Sequence, residues 1–320
     1  MKLLASPASL KGVLDAVDAA AALVEGAEAA GAEAEALPIA DGGGGTAVVL
    51  ASARGGSWHE AVVSDPLGRP AAARWLMLPD RTAVLEAAAA VGLPLLAADE
   101  RDPLRASSRG LGELIQAALR ERPDSLLVCL GDTATVDGGA GLLEVIATFP
   151  VPVRAACDVG NPLLGPRGAA RAFGPQKGAS PEEVDELEAR LAARDDLRPV
   201  ADLPGAGAAG GLGAALAALG AELVSGAALV LELISFRERA RGAQLVVTGE
   251  GTVDRATLEG KAPGAALRVC VTEGVRCAVF GGHIRERLPG AELHELSGDP
   301  ARARDDLLQL GRLLGGARFA

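Results

Sequence analysis

The stretch 125–143, SLLVCLGDTATVDGGAGLL, limits what this chain can fold into more than any other. Its short apolar run, Leu126 to Leu130, reads as a strand covered on both faces, as in a parallel sheet. The run breaks at Gly131 into a loop of small and acidic residues, and an apolar pattern resumes at Leu142. A strand, a glycine loop and a helix in that order present backbone N–H groups that favour anionic oxygens. Asp132 and Asp137 lie in the loop. A carboxylate there can hold a divalent cation, accept a proton from a substrate hydroxyl, or cap the helix.

The same texture recurs at both ends of the chain. Lys2 to Ser6 reads as a strand, followed by Ser9, Lys11 and Gly12 and an alanine-rich helix from Val13 to Ala30. A second strand, Ala32 to Ile39, leads into Asp41-Gly42-Gly43-Gly44-Gly45-Thr46. Successive glycines let a ligand approach the main chain closely. Near the other end, Gln244 to Val247 reads as a strand ending in Thr248-Gly249-Glu250-Gly251-Thr252-Val253-Asp254, with Gly260-Lys261 beyond. Cys277 to Phe280 ends in Gly281-Gly282-His283, Glu292 to Leu296 reads as a final strand, and Asp305 to Leu314 as a closing helix.

The middle differs. VVSDPLGRPAAARWLML predicts two strands around an Asp-Pro-Leu-Gly turn, and Ala83 to Val91 an alanine-rich helix. A helix from Leu111 to Arg120 precedes the central loop, and a strand from Val151 to Cys157 leads towards Asn161. Ser180-Pro181-Glu182-Glu183 is a strong helix start. The pattern therefore predicts an α/β protein of two domains. A doubly wound parallel sheet, residues 1–60 plus 241–320, is interrupted by an inserted α/β domain, 61–240, which contributes the central loop from across a cleft. Ligands in such sheets bind at the carboxyl ends of the strands, where the loops of Asp41, Glu250 and Gly281 fall.

Composition narrows the function. A net charge of −11 argues against nucleic acid or an anionic membrane as partner. Cys129, Cys157, Cys270 and Cys277 form no CxxC pair, which predicts reduced cysteines in a cytoplasmic protein. The GxGxxG at Gly205, Gly207 and Gly210 has no strand before it, so no dinucleotide site is expected there. GxxxxGK[ST] and GxSxG motifs are absent. Only four of the 31 basic residues are lysine, and Lys11, Lys177 and Lys261 each adjoin a glycine. An ammonium is a compact point charge suited to a crowded phosphate site.

Together the loops resemble the bacterial glycerate kinase family (type I). The matching pieces are SLKG, PIADGGGGT, SDPLGRP, TATVDGGAGLL, DVGNPLLG, FGPQKGA, PGAGAAGGLGAAL, VVTGEGTVD and EGKAP, in order from residue 2 to about 283. The resemblance implies a flavodoxin-like domain interrupted by a restriction-enzyme-like one. It also implies ATP- and Mg2+-dependent phosphorylation of a small hydroxy acid, D-glycerate, with 2-phosphoglycerate the favoured product of this organic acid phosphorylation. A monomer or homodimer without nucleic-acid or membrane partners is expected. On this reading the catalytic residues are Lys11, Asp41, Asp137 and Asp254, with Asp137 and Asp254 binding the metal. Ser9, Gly42, Gly43, Thr46, Gly138, Gly139, Asn161, Lys177, Gly249, Glu250 and Lys261 would bind substrate or nucleotide.

The chain lacks the family's polar group at four loop positions and adds an acid at a fifth. PDSFKG carries Ala8 for its acid, DGGEGT carries Gly44 for its glutamate, and GGSATNDGG carries Val136 for its amide and adds Asp132. Thr252 stands where the GEGRLD-like motif has arginine. A working kinase and a non-catalytic homologue that binds a nucleotide or hydroxy acid are therefore both open readings.

Overall fold

The structure, a computed structural model, describes residues 1–317, and of Glu259 only the backbone. Residues 318–320, assigned by the sequence to the discontinuous first domain, lie outside the described residues. The chain forms two compact units: Met1–Asp41, Val48–Arg54 and Ala227–Ala320 in the first, Gly42–Ala47 and Gly55–Gly226 in the second. Residues 55–60 thus go with the second unit and 227–240 with the first, opposite to the expected assignment.

The first unit is built on a five-stranded sheet of β1 (Lys2–Pro7), β2 (Glu33–Ala36), β9 (Leu245–Val253), β10 (Arg276–Ile284) and β11 (Glu292–Glu295). Every pairing is parallel, and the order is β11-β10-β9-β1-β2. Counted within the unit this is the 2-1-3-4-5 order of flavodoxin-like sheets, with the reversal between β1 and β9. Leu3, Ala5, Leu245, Val247 and Phe280 face the helices Ala16–Ala29 and Ala303–Gly315, whose Leu23, Leu307 and Leu310 complete one core. β9 and β10 run further than the sequence suggested, pairing as far as Val253 and Ile284. A Cβ on Gly249 would lie 2.3 Å from the Phe280 carbonyl, so the strands stay paired there only because the side chain is absent.

The second unit has six strands, β3 (Ser57–Ser64), β4 (Pro70–Met77), β5 (Thr82–Glu86), β6 (Ser125–Cys129), β7 (Val153–Cys157) and β8 (Glu222–Ser225), in sequence order. β3 and β4 form the expected antiparallel hairpin, and β5 to β8 are parallel. Two of these strands were not legible in the sequence. Of the helix expected over Ala83 to Val91, only Ala87–Val91 is helical; Thr82–Glu86 forms β5, with Ala83, Val84 and Leu85 fully buried between β4 and β6. A short apolar run suits a buried strand or helix equally, and here the sheet position decides. β8 is a four-residue edge strand with no alternating pattern to reveal it. Among the described residues no helix is long and apolar enough to cross a membrane.

The first unit's helix pair touches backbone to backbone. A Cβ on Gly26 would sit 2.0 Å from the Leu308 carbonyl oxygen, and one on Gly311 2.2 Å from that of Leu23. Forcing a methyl into such a contact costs about 1–3 kcal/mol. Gly26→Ala should lower the unfolding free energy by about that much in a urea titration, with the denaturant dependence unchanged.

Candidate active site

The carboxyl end of the first unit's sheet collects Ser9, Lys11, Asp41, Gly249, Glu250, Asp254 and Lys261. After β1 the chain makes a turn closed by hydrogen bonds between Leu10 and Leu14, with Lys11 exposed on it. Gly12, at φ +75°, permits that turn. After β2, Leu37 and Ile39 donate to the carbonyls of Ala5 and Pro7, and this guides the chain alongside β1 to Asp41. At the end of β9, Glu250 is buried and accepts hydrogen bonds from Thr257 Oγ1 at 2.7 Å and Lys261 Nζ at 3.0 Å. Burial pushes its carboxyl above the usual range, while Thr257 and Lys261 oppose the shift. Asp254 caps the helix Arg255–Glu259 through the Thr257 N–H and stands 3.6 Å from Lys261 Nζ. Lys261 is thus fixed between two carboxylates.

Two features of this sheet end escaped the sequence reading. Ser6 and Thr248 pair in register on β1 and β9, fully buried, and their hydroxyls have no hydrogen-bond partner among the described residues. A cavity of ≈ 90 Å³ opens beside Lys11, lined by Leu10, Gly251, Gly282, His283, Leu296 and Asp299. A lone histidine after a strand carries too little sequence signal to be singled out.

In the second unit the two glycine loops meet. A Cβ on Gly131 would lie 2.4 Å from Gly43 Cα, and one on Gly42 3.1 Å from Ala156 Cβ. Gly44 N–H donates to Asp132 Oδ2 at 3.3 Å, and buried Thr46 donates its hydroxyl to the Gly43 carbonyl at 2.8 Å. Glu86, at the end of β5, accepts the Ala47 N–H at 2.7 Å and so anchors the start of the helix Thr46–Arg54. Its carboxyl is pushed up by burial, opposed by the amides of Ala47 and Gly45.

Asp137 is engaged by four donors of the protein itself. Its Oδ2 accepts from Ser108 N–H at 2.8 Å, Ser108 Oγ at 2.7 Å and Gly141 N–H at 3.2 Å, and its Oδ1 from Gly139 N–H at 3.0 Å. Ser108 Oγ accepts in turn from Leu142 N–H at 3.0 Å. The carboxylate fills the place that a ligand's anion was expected to take at the start of the helix Ala140–Leu143. It also ties that helix to the start of Arg109–Arg120. Metal binding or proton acceptance by Asp137 would compete with these four donors. Gly138 and Gly139, both at positive φ, pack against Leu191 and Ala215.

Lys177 is likewise turned inward. Only 3 % exposed, it donates to Thr133 Oγ1 at 3.1 Å and to the Thr135 carbonyl at 2.8 Å. Burial pushes its amino group down to about 7, against the pull of Asp137. It braces the central loop from beneath instead of presenting its charge to a ligand. Asn161 Nδ2 donates to the Arg167 carbonyl at 2.7 Å, and the Asn161 carbonyl accepts from Gly207. The GxGxxG segment is a second brace. Ala209, Gly210 and Gly211 are left-handed, and the Gly210 carbonyl accepts the Gly138 N–H at 3.0 Å.

Comparison with known proteins places this geometry. The sequence model of the glycerate kinase family matches residues 3–148 and 147–298. The chain belongs to the glycerate kinase family. It is 40 % identical over 305 residues to a glycerate kinase of Bacillus subtilis strain 168, covering 82 % of this chain and 80 % of that protein. Identity to a glycerate 2-kinase of Escherichia coli K12 is 38 %, with the same coverage. The crystal structure of a putative glycerate kinase 2 from Salmonella typhimurium LT2 superposes with a TM-score of 0.84 at 32 % identity, over 98 % of this chain and 97 % of that one. This protein is therefore a kinase with that family's two-domain α/β architecture. One of its departures from the family motifs has a packing reason: Val136, in place of an amide, is buried in a core with Leu163, Leu187 and Leu191.

Two outcomes follow from the second unit. Asp137→Ala leaves four donors unsatisfied and should cost at least about 2 kcal/mol of stability, with Ser108→Ala costing less; denaturant titration of both checks this. Lys177 has a folded value of about 7, below its ordinary 10.5. Between those values the unfolded chain binds more protons, so stability rises with pH across that window and is unaffected by this group below it. The melting temperature of the parent protein relative to Lys177→Met should therefore climb from pH 7 to pH 10.

Proposed function

We propose that this kinase transfers the γ-phosphoryl group of ATP to a hydroxyl of D-glycerate with magnesium, giving 2-phosphoglycerate. The observation that carries this reading is the set of cations and carboxylates at the carboxyl end of the β1–β9 sheet. Exposed Lys11 and braced Lys261 stand there with Asp41, Glu250 and Asp254. Phosphoryl transfer asks chiefly for positioning and charge neutralisation, which is what such a set supplies. The name of the Escherichia coli relative, a glycerate 2-kinase, supports the 2-hydroxyl as acceptor.

Magnesium keeps most of its waters and is held through one or two carboxylates together with substrate phosphates. Among the described residues no group of three or more His, Cys, Asp or Glu side chains could hold a metal. The donor chemistry of this chain therefore fits a cation that arrives on the nucleotide, with Asp41 and Asp254 the carboxylates to meet it. When bound, that ion neutralises phosphate charge. In our reading Lys11 attracts phosphate or the glycerate carboxylate, and Lys261 holds the β9 loop in shape while adding positive potential. Asp41 accepts the proton of the attacking hydroxyl. Ser9, Gly42, Gly43 and Gly249 let the main chain approach the substrates. Four cysteines that form no disulfide among the described residues suit a reducing, cytoplasmic setting.

The test is ADP release with ATP, magnesium and D-glycerate against a blank without acceptor, with the phosphorylated position read by NMR. Lys11→Ala should lower kcat/KM by at least about 100-fold while leaving the melting temperature unchanged, because the side chain is exposed. Glycerate-independent ADP release, or product phosphorylated at the 3-hydroxyl, contradicts the reading.

A further inference from the structure

Asp132 is one of five non-glycine residues with positive φ among the described residues, at +58°. Most L side chains pay for that conformation, aspartate less than most, and glycine does not. The surrounding backbone enforces it: the Asp132 carbonyl accepts the Leu93 N–H at 2.9 Å, and Ala134 N–H donates to the Val91 carbonyl at 2.8 Å. The motif this stretch resembles has glycine here, the residue the backbone would choose. This chain keeps an exposed carboxylate at the position instead.

The space it occupies supplies the reason. Asp132 Oδ2 accepts the Gly44 N–H at 3.3 Å, and a Cβ built on Gly44 would lie 3.4 Å from that same oxygen. Nothing else comes within 4 Å of that Cβ, and Gly44 is not among the positive-φ glycines. Position 44 could therefore hold a side chain with little strain, and the related motif, DGGEGT, has glutamate there. One loop has lost an acid where a side chain fits, and the facing loop has gained one where glycine would be easier. The two changes bring a carboxylate to the same few ångströms.

We infer that Asp132 has taken over the carboxylate that position 44 no longer supplies, and presents it to the divalent cation carried by the nucleotide. The inference rests on the kinase reading above. Strain is tolerated at Asp132 because the loop needs a negative group between Gly44 and Asp132, and positions that hold strain are commonly functional ones. Half-buried Glu86 nearby is already engaged by the Ala47 N–H, and desolvation, helped by Asp132, holds its carboxyl above the usual range. It is therefore a poor substitute for an exposed carboxylate.

The test is a reciprocal swap: the parent protein, Asp132→Gly, Gly44→Glu, and the double variant. Two readouts are taken on each. One is the rise in melting temperature given by ATP with magnesium over ATP with EDTA; the other is kcat and KM for glycerate-dependent ADP release. Asp132→Gly should remove most of the magnesium-dependent rise and lower kcat/KM about 100-fold. Its ligand-free melting temperature should not fall, because glycine relieves the left-handed backbone. The double variant should regain at least about tenfold of the lost activity, a fraction of the effect of one such group, together with the magnesium-dependent rise. A merely structural Asp132 would give no rescue from position 44. The inference fails if Asp132→Gly behaves like the parent, if the parent shows no magnesium-dependent rise, or if the double variant matches Asp132→Gly. Loss and recovery of the magnesium effect without any glycerate turnover would uphold the inference and overturn the choice of acceptor.

Discussion

The second unit depends on main chain packing directly against main chain. Gly131 against Gly43, Gly210 against Thr135 and Gly264 against Thr257 in the first unit are contacts that a single methyl group would block. Glycine loses more conformational freedom on folding than any other residue, so such contacts persist only where other interactions compensate. At the central loop the compensation is electrostatic. One carboxylate, Asp137, gathers four donors from two helix starts, and a buried amino group, Lys177, reaches two oxygens of the same loop. The glycines allow the approach and the polar network fixes it.

The same physics separates the three glycine-flanked lysines into different tasks. Lys11 lies exposed on a turn after β1. Lys261 is held by Glu250 and Asp254, which places its charge at a fixed point. Lys177 is buried beyond reach of solvent, and desolvation weakens its hold on a proton. Adjacency to glycine is common to all three, but it reflects tight backbone in each case and says nothing about which way the ammonium points. The carboxylates divide similarly: Asp137 is saturated by the protein's own donors, whereas Asp41 and Asp254 stand at strand ends.

Departures from the family motifs read differently once placed. Val136 belongs to an apolar core, where an amide would need its own partners. Asp132 and Gly44 are a pair, because the Asp132 carboxylate accepts the Gly44 N–H and lies 3.4 Å from where a Cβ at 44 would sit. Nothing in the structure explains Ala8 or Thr252. A count of lost functional groups taken along the sequence treats these four positions as equivalent, which they are not.

The sequence by itself determined the α/β class, the doubly wound character of the first unit, a hairpin about the turn at 65–68 and, through its loop motifs, the family. Each rests on local signals: short apolar runs, glycine loops after strands, a turn motif between two strands. Only the tertiary structure decided that 82–86 is a strand, because burial between β4 and β6 overrides the helical preference of its neighbours. It alone turned Lys177 and Asp137 inward, since hydrogen-bond partners 29 to 44 residues away in the chain cannot be read from spacing. It also joined Gly44 to Asp132, 88 residues apart. Local pattern fixes which elements form. Which charges face solvent and which brace a loop depends on the long-range contacts that bring distant segments together.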